Sequence, residues 1–136
     1  MQGNPYQQYR ATVVETATPA QLVTLLYQGV VRFTQRALLA LERRDLEGAH
    51  EALVRAQAIV LELSSNLDFE QGGEIARNLA GLYAYAYQRL LAANCRKEAA
   101  PAEQVLALFR ELLPAWQQIA GARAPDGAPA PAAARR

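Results

Sequence analysis

The sequence of 136 residues contains one cysteine, Cys95, and one histidine, His50, and its formal net charge is only +1. A single cysteine cannot form an internal disulfide, and one cysteine with one histidine cannot build a Cys/His zinc site. A chain this close to neutrality lacks the basic excess that non-specific nucleic-acid binding needs. We therefore expect no catalytic residues, no metal site, no cofactor and no nucleic-acid partner.

Long hydrophobic runs are also missing. No stretch reaches the roughly 18 apolar residues of a transmembrane helix, and the first ten residues lack the apolar core of a Sec signal peptide. These absences predict a cytoplasmic protein without membrane insertion. The sequence is nevertheless 51% hydrophobic and 20% charged. That composition excludes a wholly disordered chain and is sufficient for one folded domain.

Apolar residues recur at steps of three and four in four segments, which predicts four helices. The predicted helices run from Pro19 to about Arg43, from Leu46 to about Asn66, from Ile75 to about Asn94, and from Pro101 to Gly121. Thr18 and Gln21 match a capping box, and Asp45 suits the N-cap of the second helix. Pro114 predicts a kink or an early break, because proline inside a helix costs about 3 kcal/mol.

Short connections between long helices make neighbouring helices antiparallel. The predicted fold is therefore all-α, an antiparallel up-down-up-down four-helix bundle over residues 18–121. A short N-terminal cap segment over residues 1–17 precedes it, and a disordered Ala/Pro-rich tail over residues 122–136 follows. Gly29 and Gly81 fall inside predicted helices, where we interpret them as points of close helix approach.

Three motifs resemble chemical sites but favour structural roles. Glu47 and His50 form one E-x-x-H motif, whereas a di-iron bundle needs two such motifs and further carboxylates. Residues 68–73 lack the lysine of a phosphate-binding loop and predict a turn that starts the third helix. Cys95 lies near a helix C-terminus, which does not activate a thiol.

The predicted helices carry more apolar residues than one core stripe needs. A wide apolar face is normal for a bundle helix, but surplus stripes on three helices favour a groove for a partner helix. The candidate groove residues are Val54, Ala58, Leu61, Tyr83, Tyr87, Leu91, Leu106, Phe109 and Leu113. Tyr6 and Tyr9 stand three residues apart, and this segment is either a floppy terminus or an aromatic flap that docks on the bundle or a partner.

Several segments, in order, resemble one known family. They are Asn-Pro-Tyr-Gln-Gln-Tyr at 4–9, Val-Glu-Thr-Ala-Thr-Pro-Ala-Gln-Leu at 14–22, Leu-Leu-Tyr-Gln-Gly at 25–29, residues 56–63, Glu-Gln-Gly-Gly-Glu-Ile-Ala at 70–76, residues 78–79 and 82–83, residues 89–94, and Trp116. Their order and spacing over residues 4–120 resemble the FliS family, flagellar secretion chaperones that hold flagellin in the cytoplasm.

The resemblance implies a helical bundle whose partner is the disordered C-terminal segment of flagellin, wrapped around it in apolar grooves. It further implies recognition of the complex by the flagellar type III export gate. Tyr6 and Tyr9 match family positions implicated in gate docking and groove capping. The expected oligomeric state is a monomer or weak homodimer. Two alternatives stay open: a self-associating structural or regulatory bundle without flagellin cargo, and a metal-dependent bundle enzyme.

Overall fold

The computed structural model describes residues 17–122. The predictions for Tyr6 and Tyr9 lie outside this range, and so does the prediction for the Ala/Pro-rich tail apart from its first residue, Ala122. The described residues form four helices: α1 (Pro19–Glu42), α2 (Leu46–Ser65), α3 (Phe69–Arg96) and α4 (Ala99–Ala122). The helix α1 packs against α2 and α4, and α3 packs against the same two helices. Because the connections are short, consecutive helices run antiparallel. The predicted up-down-up-down four-helix bundle is confirmed.

The first two helices begin at the predicted caps. The Thr18 hydroxyl accepts a hydrogen bond from the Gln21 backbone N–H at 3.1 Å, and the Gln21 side-chain oxygen accepts one from the Thr18 N–H at 3.0 Å. The Asp45 carboxylate accepts from the Gly48 N–H at 3.0 Å. Each bond satisfies a backbone donor that has no partner within the helix. Local capping chemistry thus fixes where α1 and α2 begin.

The predicted turn over residues 68–73 is mostly helical, so this prediction is wrong. The Asp68 carboxylate accepts hydrogen bonds from the N–H groups of Glu70 and Gln71, both at 3.1 Å, and α3 therefore begins at Phe69. The helix is interrupted at Gly73, whose φ of 52° and ψ of −124° are not helical. Only glycine adopts this conformation without strain. Gly73 therefore kinks α3 after its first turn.

Of the two predictions for Pro114, the early break is wrong, because α4 continues through Pro114 to Ala122, and the kink stays a prediction. Pro114 and Arg110, whose carbonyl loses its helical donor, are both on the exposed side of α4. Water can reach this side, which lowers the cost of the missing hydrogen bond. On the other side Leu113 and Trp116 pack against the core. Packing of these side chains holds the last turns of α4 on the bundle.

The core lies along the bundle axis and draws on all four helices. Among its fully buried side chains are Tyr27 and Val30 of α1, Leu53 and Val60 of α2, Tyr83 and Leu90 of α3, and Val105 and Phe109 of α4. Gly29 is buried, and a Cβ there would lie 2.9 Å from Ile59 Cδ1, which confirms a close α1–α2 approach. Gly81 has nothing within 4 Å of a Cβ, so the same prediction for it is wrong.

Three apolar residues that follow the helical periodicity, and would therefore be expected to face the core, are exposed. Ile75 is 61% exposed, Leu46 50% and Ile119 41%. All three lie near the ends of their helices, where the packed layers of the bundle end. Apolar periodicity therefore overestimates the core at both ends of the bundle.

Candidate functional site

The predicted groove residues of α2 form an exposed stripe. Val54 is 44% exposed, Leu61 is 53% exposed, and Ala58 between them is also exposed. Their spacing of four and three places them on one face of α2. This face points away from the buried seam of the same helix, which includes Leu53 and Val60. The stripe is therefore available for binding.

A hydrogen bond fixes which part of α3 lies beside this stripe. Asn94 Nδ2 of α3 donates to His50 Nδ1 of α2 at 3.0 Å. Because α2 and α3 are antiparallel, one turn beyond His50 on α2 lies beside one turn before Asn94 on α3. Val54 follows His50 by one turn of α2, and Leu91, which is 39% exposed, precedes Asn94 by about one turn of α3; Tyr87, one turn further from Asn94, is half-buried. We call the surface formed by Val54, Ala58, Leu61, Tyr87 and Leu91 the α2/α3 groove.

Three predicted groove residues belong to the core instead. Tyr83 is 1% exposed, Phe109 is 0% exposed and Leu106 is 8% exposed. The prediction that they line an open surface is wrong. Leu113 is half-buried against the core on α4, which packs on α1 and α3. The predicted residues of α2 and α3 thus lie on two helices that pack against each other, whereas those of α4 lie on a helix that packs on α1 and α3.

The burial of Tyr83 and Phe109 has a specific cause, an aromatic cluster contributed by three helices. The Tyr27 ring of α1 lies 4.8 Å from the Phe109 ring, 6.0 Å from the Trp116 ring and 6.3 Å from the Tyr83 ring, measured between centroids. The Tyr83 and Phe109 rings are stacked with centroids 6.3 Å apart. Such contacts add about 0.5–1.5 kcal/mol per pair to simple burial. The cluster is a structural centre of the bundle.

The two tyrosine hydroxyls of this cluster satisfy each other. They lie 2.8 Å apart in a buried hydrogen bond between α1 and α3. Burial raises the pKa of Tyr27, and hydrogen bonding to Tyr83 and Trp116 opposes that rise in part. Burial, followed by the charge and hydrogen bond of Tyr27, raises the pKa of Tyr83 strongly. Both hydroxyls therefore stay protonated at neutral pH.

His50 has the structural role that the sequence predicted. It is exposed, and its ring nitrogen accepts from Asn94, whose backbone carbonyl in turn accepts from Lys97 Nζ at 2.9 Å. This network ties the C-terminus of α3 to α2. No group of three or more His, Cys, Asp or Glu side chains that could hold a metal occurs within residues 17–122. No helix in the same range has both the length and the apolar character to cross a membrane.

Sequence reasoning missed several exposed apolar side chains. They are Leu25 and Leu39 of α1, Phe69 at the start of α3, and Tyr85 in its middle, each between 41% and 50% exposed. Leu25 precedes the buried Leu26, and only one residue of such a pair can face the core. Tyr85 lies two residues from the buried Tyr83. The angular position of each residue around its helix could have shown which member of each pair is exposed.

The sequence of this chain is similar to those of known proteins. The family model described as flagellar protein FliS matches residues 2–123. The flagellar secretion chaperone FliS of Campylobacter jejuni is 35% identical over 120 residues, which cover 88% of this chain and 94% of that protein. The FliS of Bacillus subtilis is 34% identical over 85% of each chain, and that of Salmonella typhimurium 42% identical over 79% of this chain and 81% of its own.

These relatives are named as flagellar secretion chaperones. The residues that carry the resemblance include Tyr27, Tyr83 and Trp116 of the aromatic cluster and the kink residue Gly73. This chain belongs to the FliS family of flagellar secretion chaperones.

Proposed function

We propose that this protein is a cytoplasmic export chaperone that binds the disordered C-terminal segment of flagellin in the α2/α3 groove. The observation that carries the proposal is the exposed apolar line on both sides of one helix interface, with Val54 and Leu61 on α2 and Leu91 on α3. Exposed apolar side chains grouped along a groove mark binding surfaces for amphipathic segments. Membership in a family of secretion chaperones supports a secreted cargo.

Binding by this groove needs no ATP. Each Å² of apolar surface that the cargo buries contributes about 25 cal/mol, and the entropy of ordering the segment offsets part of it. Coupled ordering and binding of this kind gives affinity that remains reversible. The bound segment has its apolar faces covered and cannot assemble prematurely, yet it can be released for export.

Delivery to the flagellar type III export gate is the second part of the proposal, and we assign it to Tyr6 and Tyr9. Both tyrosines precede the described residues, and α1 begins only at Pro19. Ala17 packs against the core, so a deletion should stop at residue 16. A chain lacking residues 1–16 should fold and bind flagellin at least as well as the full chain, but support less export. Loss of helicity in this variant would contradict the assignment.

The direct test of cargo binding is a calorimetric titration of the full chain with a synthetic peptide of the flagellin C-terminal segment. We expect binding at micromolar concentrations with a negative heat-capacity change, the mark of apolar burial. No binding at these concentrations would sink the proposal. The alternative is a bundle that self-associates through the same groove without flagellin. It predicts that sedimentation detects a concentration-dependent dimer, and that the flagellin peptide does not dissociate this dimer.

A further inference from the structure

A second surface, on the other side of α2, gathers three arginines around one aromatic ring. The Cζ atoms of Arg32 and Arg36, one turn apart on α1, each lie 5.1 Å from the centroid of the Phe33 ring. The Cζ atom of Arg55 of α2 lies 5.7 Å from the same centroid. Phe33 is half-buried against the core, whereas the three arginines are exposed. The ring faces attract guanidinium groups and hold three like charges close together.

None of these three charges takes part in a direct ion pair inside the described part of the chain. Within residues 17–122, the interactions of Arg32, Arg36 and Arg55 are those with Phe33, and no ion pair joins them to a carboxylate. Like charges held together repel each other and attract counter-charges from solution. The arrangement is therefore ready to receive carboxylate groups.

An open cavity of about 370 Å³ adjoins the Phe33 ring between α1 and α2. Phe33, Leu39 and Ala52 supply an apolar floor, and Leu39 is 46% exposed. This volume admits a large apolar side chain and leaves room beside it. An apolar floor beneath a basic rim is typical of a site for a peptide that is both acidic and apolar.

The rim of the cavity keeps a positive excess. Arg36, Arg43 and Arg55 border it, together with Asp45 and Glu51. The Asp45 carboxylate is engaged as the N-cap of α2, through its bond with the Gly48 N–H. Of the two carboxylates on the rim, Glu51 therefore makes no capping bond. Three arginines border the same cavity, and Arg32 lies beside the Phe33 ring. Two acidic groups on the rim oppose a continuous phosphate backbone but leave room for separate carboxylates.

We propose that this α1/α2 groove, formed by Phe33, Arg32, Arg36, Arg55 and Leu39, binds an acidic peptide segment of a partner protein. An apolar side chain of the peptide enters the cavity and packs against Phe33. Two or more of its carboxylates pair with the guanidinium groups, which match carboxylate geometry in a two-bond fork. Arg32 and Arg36 are separated by about 6 Å along α1, which suits carboxylates on successive turns of a helical peptide.

The proposal goes beyond the binding of flagellin, because it concerns a different groove. Arg55 follows Val54 directly but lies about 100° further around α2, on the side that faces α1. The two surfaces can therefore be tested separately. A substitution that abolishes binding at one groove should leave binding at the other groove unchanged.

The test uses two fluorescein-labelled peptides, Asp-Glu-Leu-Phe-Glu-Glu-Leu and its amide twin Asn-Gln-Leu-Phe-Gln-Gln-Leu, in fluorescence anisotropy with the full chain. The acidic peptide should bind about tenfold more tightly than the twin, and its affinity should fall as salt rises. Combining Arg36→Gln with Arg55→Gln should weaken its binding about tenfold. Arg77→Gln with Arg110→Gln, exposed arginines of α3 and α4, removes the same charge elsewhere and should leave binding unchanged.

Four results would overturn the proposal. They are equal binding of the amide twin, an equal loss in the control variant, no binding of the acidic peptide up to about 1 mM, and tighter binding of a labelled oligouridylate of equal charge. The last result would assign the groove to nucleic acid. Circular dichroism of both double variants checks that each is folded. Unchanged binding of the flagellin peptide to the Arg36→Gln, Arg55→Gln variant would show that the two grooves are separate binding sites.

Discussion

The hydroxyl groups of Tyr27 and Tyr83 lie 2.8 Å apart and join α1 to α3 across the bundle diagonal. These two helices otherwise pack mainly on α2 and α4. Trp116 gives the Tyr27 hydroxyl a further polar neighbour, whereas the Tyr83 hydroxyl depends on Tyr27. A buried hydroxyl that loses its partner costs about 1–3 kcal/mol. The two tyrosines are therefore coupled but not equivalent.

We predict that Tyr27→Phe destabilises the chain more than Tyr83→Phe does. Tyr27→Phe leaves the buried Tyr83 hydroxyl without its partner, at a cost of about 1–3 kcal/mol. Tyr83→Phe leaves the Tyr27 hydroxyl near Trp116 and should cost less. The double variant should be more stable than the sum of the single losses predicts, since no hydroxyl is then left unpaired. Urea unfolding of all four chains measures this, and strict additivity would contradict the coupling.

The tyrosine pair also predicts how stability depends on pH. Burial raises the pKa of both groups above 10.0, the ordinary value for tyrosine. Above that pH the unfolded chain releases these protons and the folded chain keeps them, so the free energy of unfolding falls as pH rises. Below pH about 10 the contribution of the two protonated tyrosines to the free energy of unfolding is fully present.

An ultraviolet titration checks this pH dependence, because tyrosinate absorbs differently from tyrosine. Of the six tyrosines, two should resist ionisation until the chain unfolds. The Tyr27→Phe, Tyr83→Phe variant is the control and should lose less stability above pH about 10. Ionisation of all six tyrosines in the folded chain would contradict the burial of the pair.

Thr34 offers a substitution that should stabilise the protein. Its side chain is fully buried, and its hydroxyl has no hydrogen-bond partner. Thr34→Val keeps the shape and removes the unpaired group, which should raise the free energy of unfolding by about 1 kcal/mol. Thr24→Val is the matched control on the same helix, because the Thr24 hydroxyl donates to the Ala20 carbonyl at 2.9 Å. Urea unfolding should show a gain for Thr34→Val and none for Thr24→Val.

Two glycines of α3 should respond in opposite directions to alanine. Gly73 has a φ of 52°, so Gly73→Ala should cost about 1–3 kcal/mol of stability. Gly81 is exposed and helical with open space around it, so Gly81→Ala should add about 0.5–1 kcal/mol through helix propensity. Thermal unfolding separates the two. A stabilising Gly73→Ala would contradict the kink after the first turn of α3.

Much of the fold was predictable from the sequence because it depends on local chemistry. Thr18 and Asp45 act as caps through backbone groups three residues away, and helical periodicity marks the central core. Gly73 was assigned to a turn but kinks a helix, and the early break predicted as one outcome at Pro114 does not occur, because this proline lies on an exposed side of α4. Local patterns do not show which side of a helix its neighbours will cover.

The candidate site shows the same limit more clearly. Val54, Leu61 and Leu91 were placed on the surface correctly, whereas Tyr83 and Phe109 were not. The apolar residues of α3 and α4 cover wide faces, and only the positions of the neighbouring helices decide which residues are buried. The contact between His50 and Asn94 fixes the register of α2 against α3, and nothing in the spacing of either helix encodes that register.

The most direct test of the central claim is the calorimetric affinity of the flagellin C-terminal peptide for two variants of one helix. Leu91→Glu places a charge in the α2/α3 groove, and Tyr85→Glu places one at a side chain of similar exposure, 48% against 39%, elsewhere on α3. We predict that Leu91→Glu weakens binding about tenfold or more, since a buried charge is costly, and that Tyr85→Glu leaves it unchanged. Equal affinities for the two variants would contradict the claim that flagellin binds in this groove.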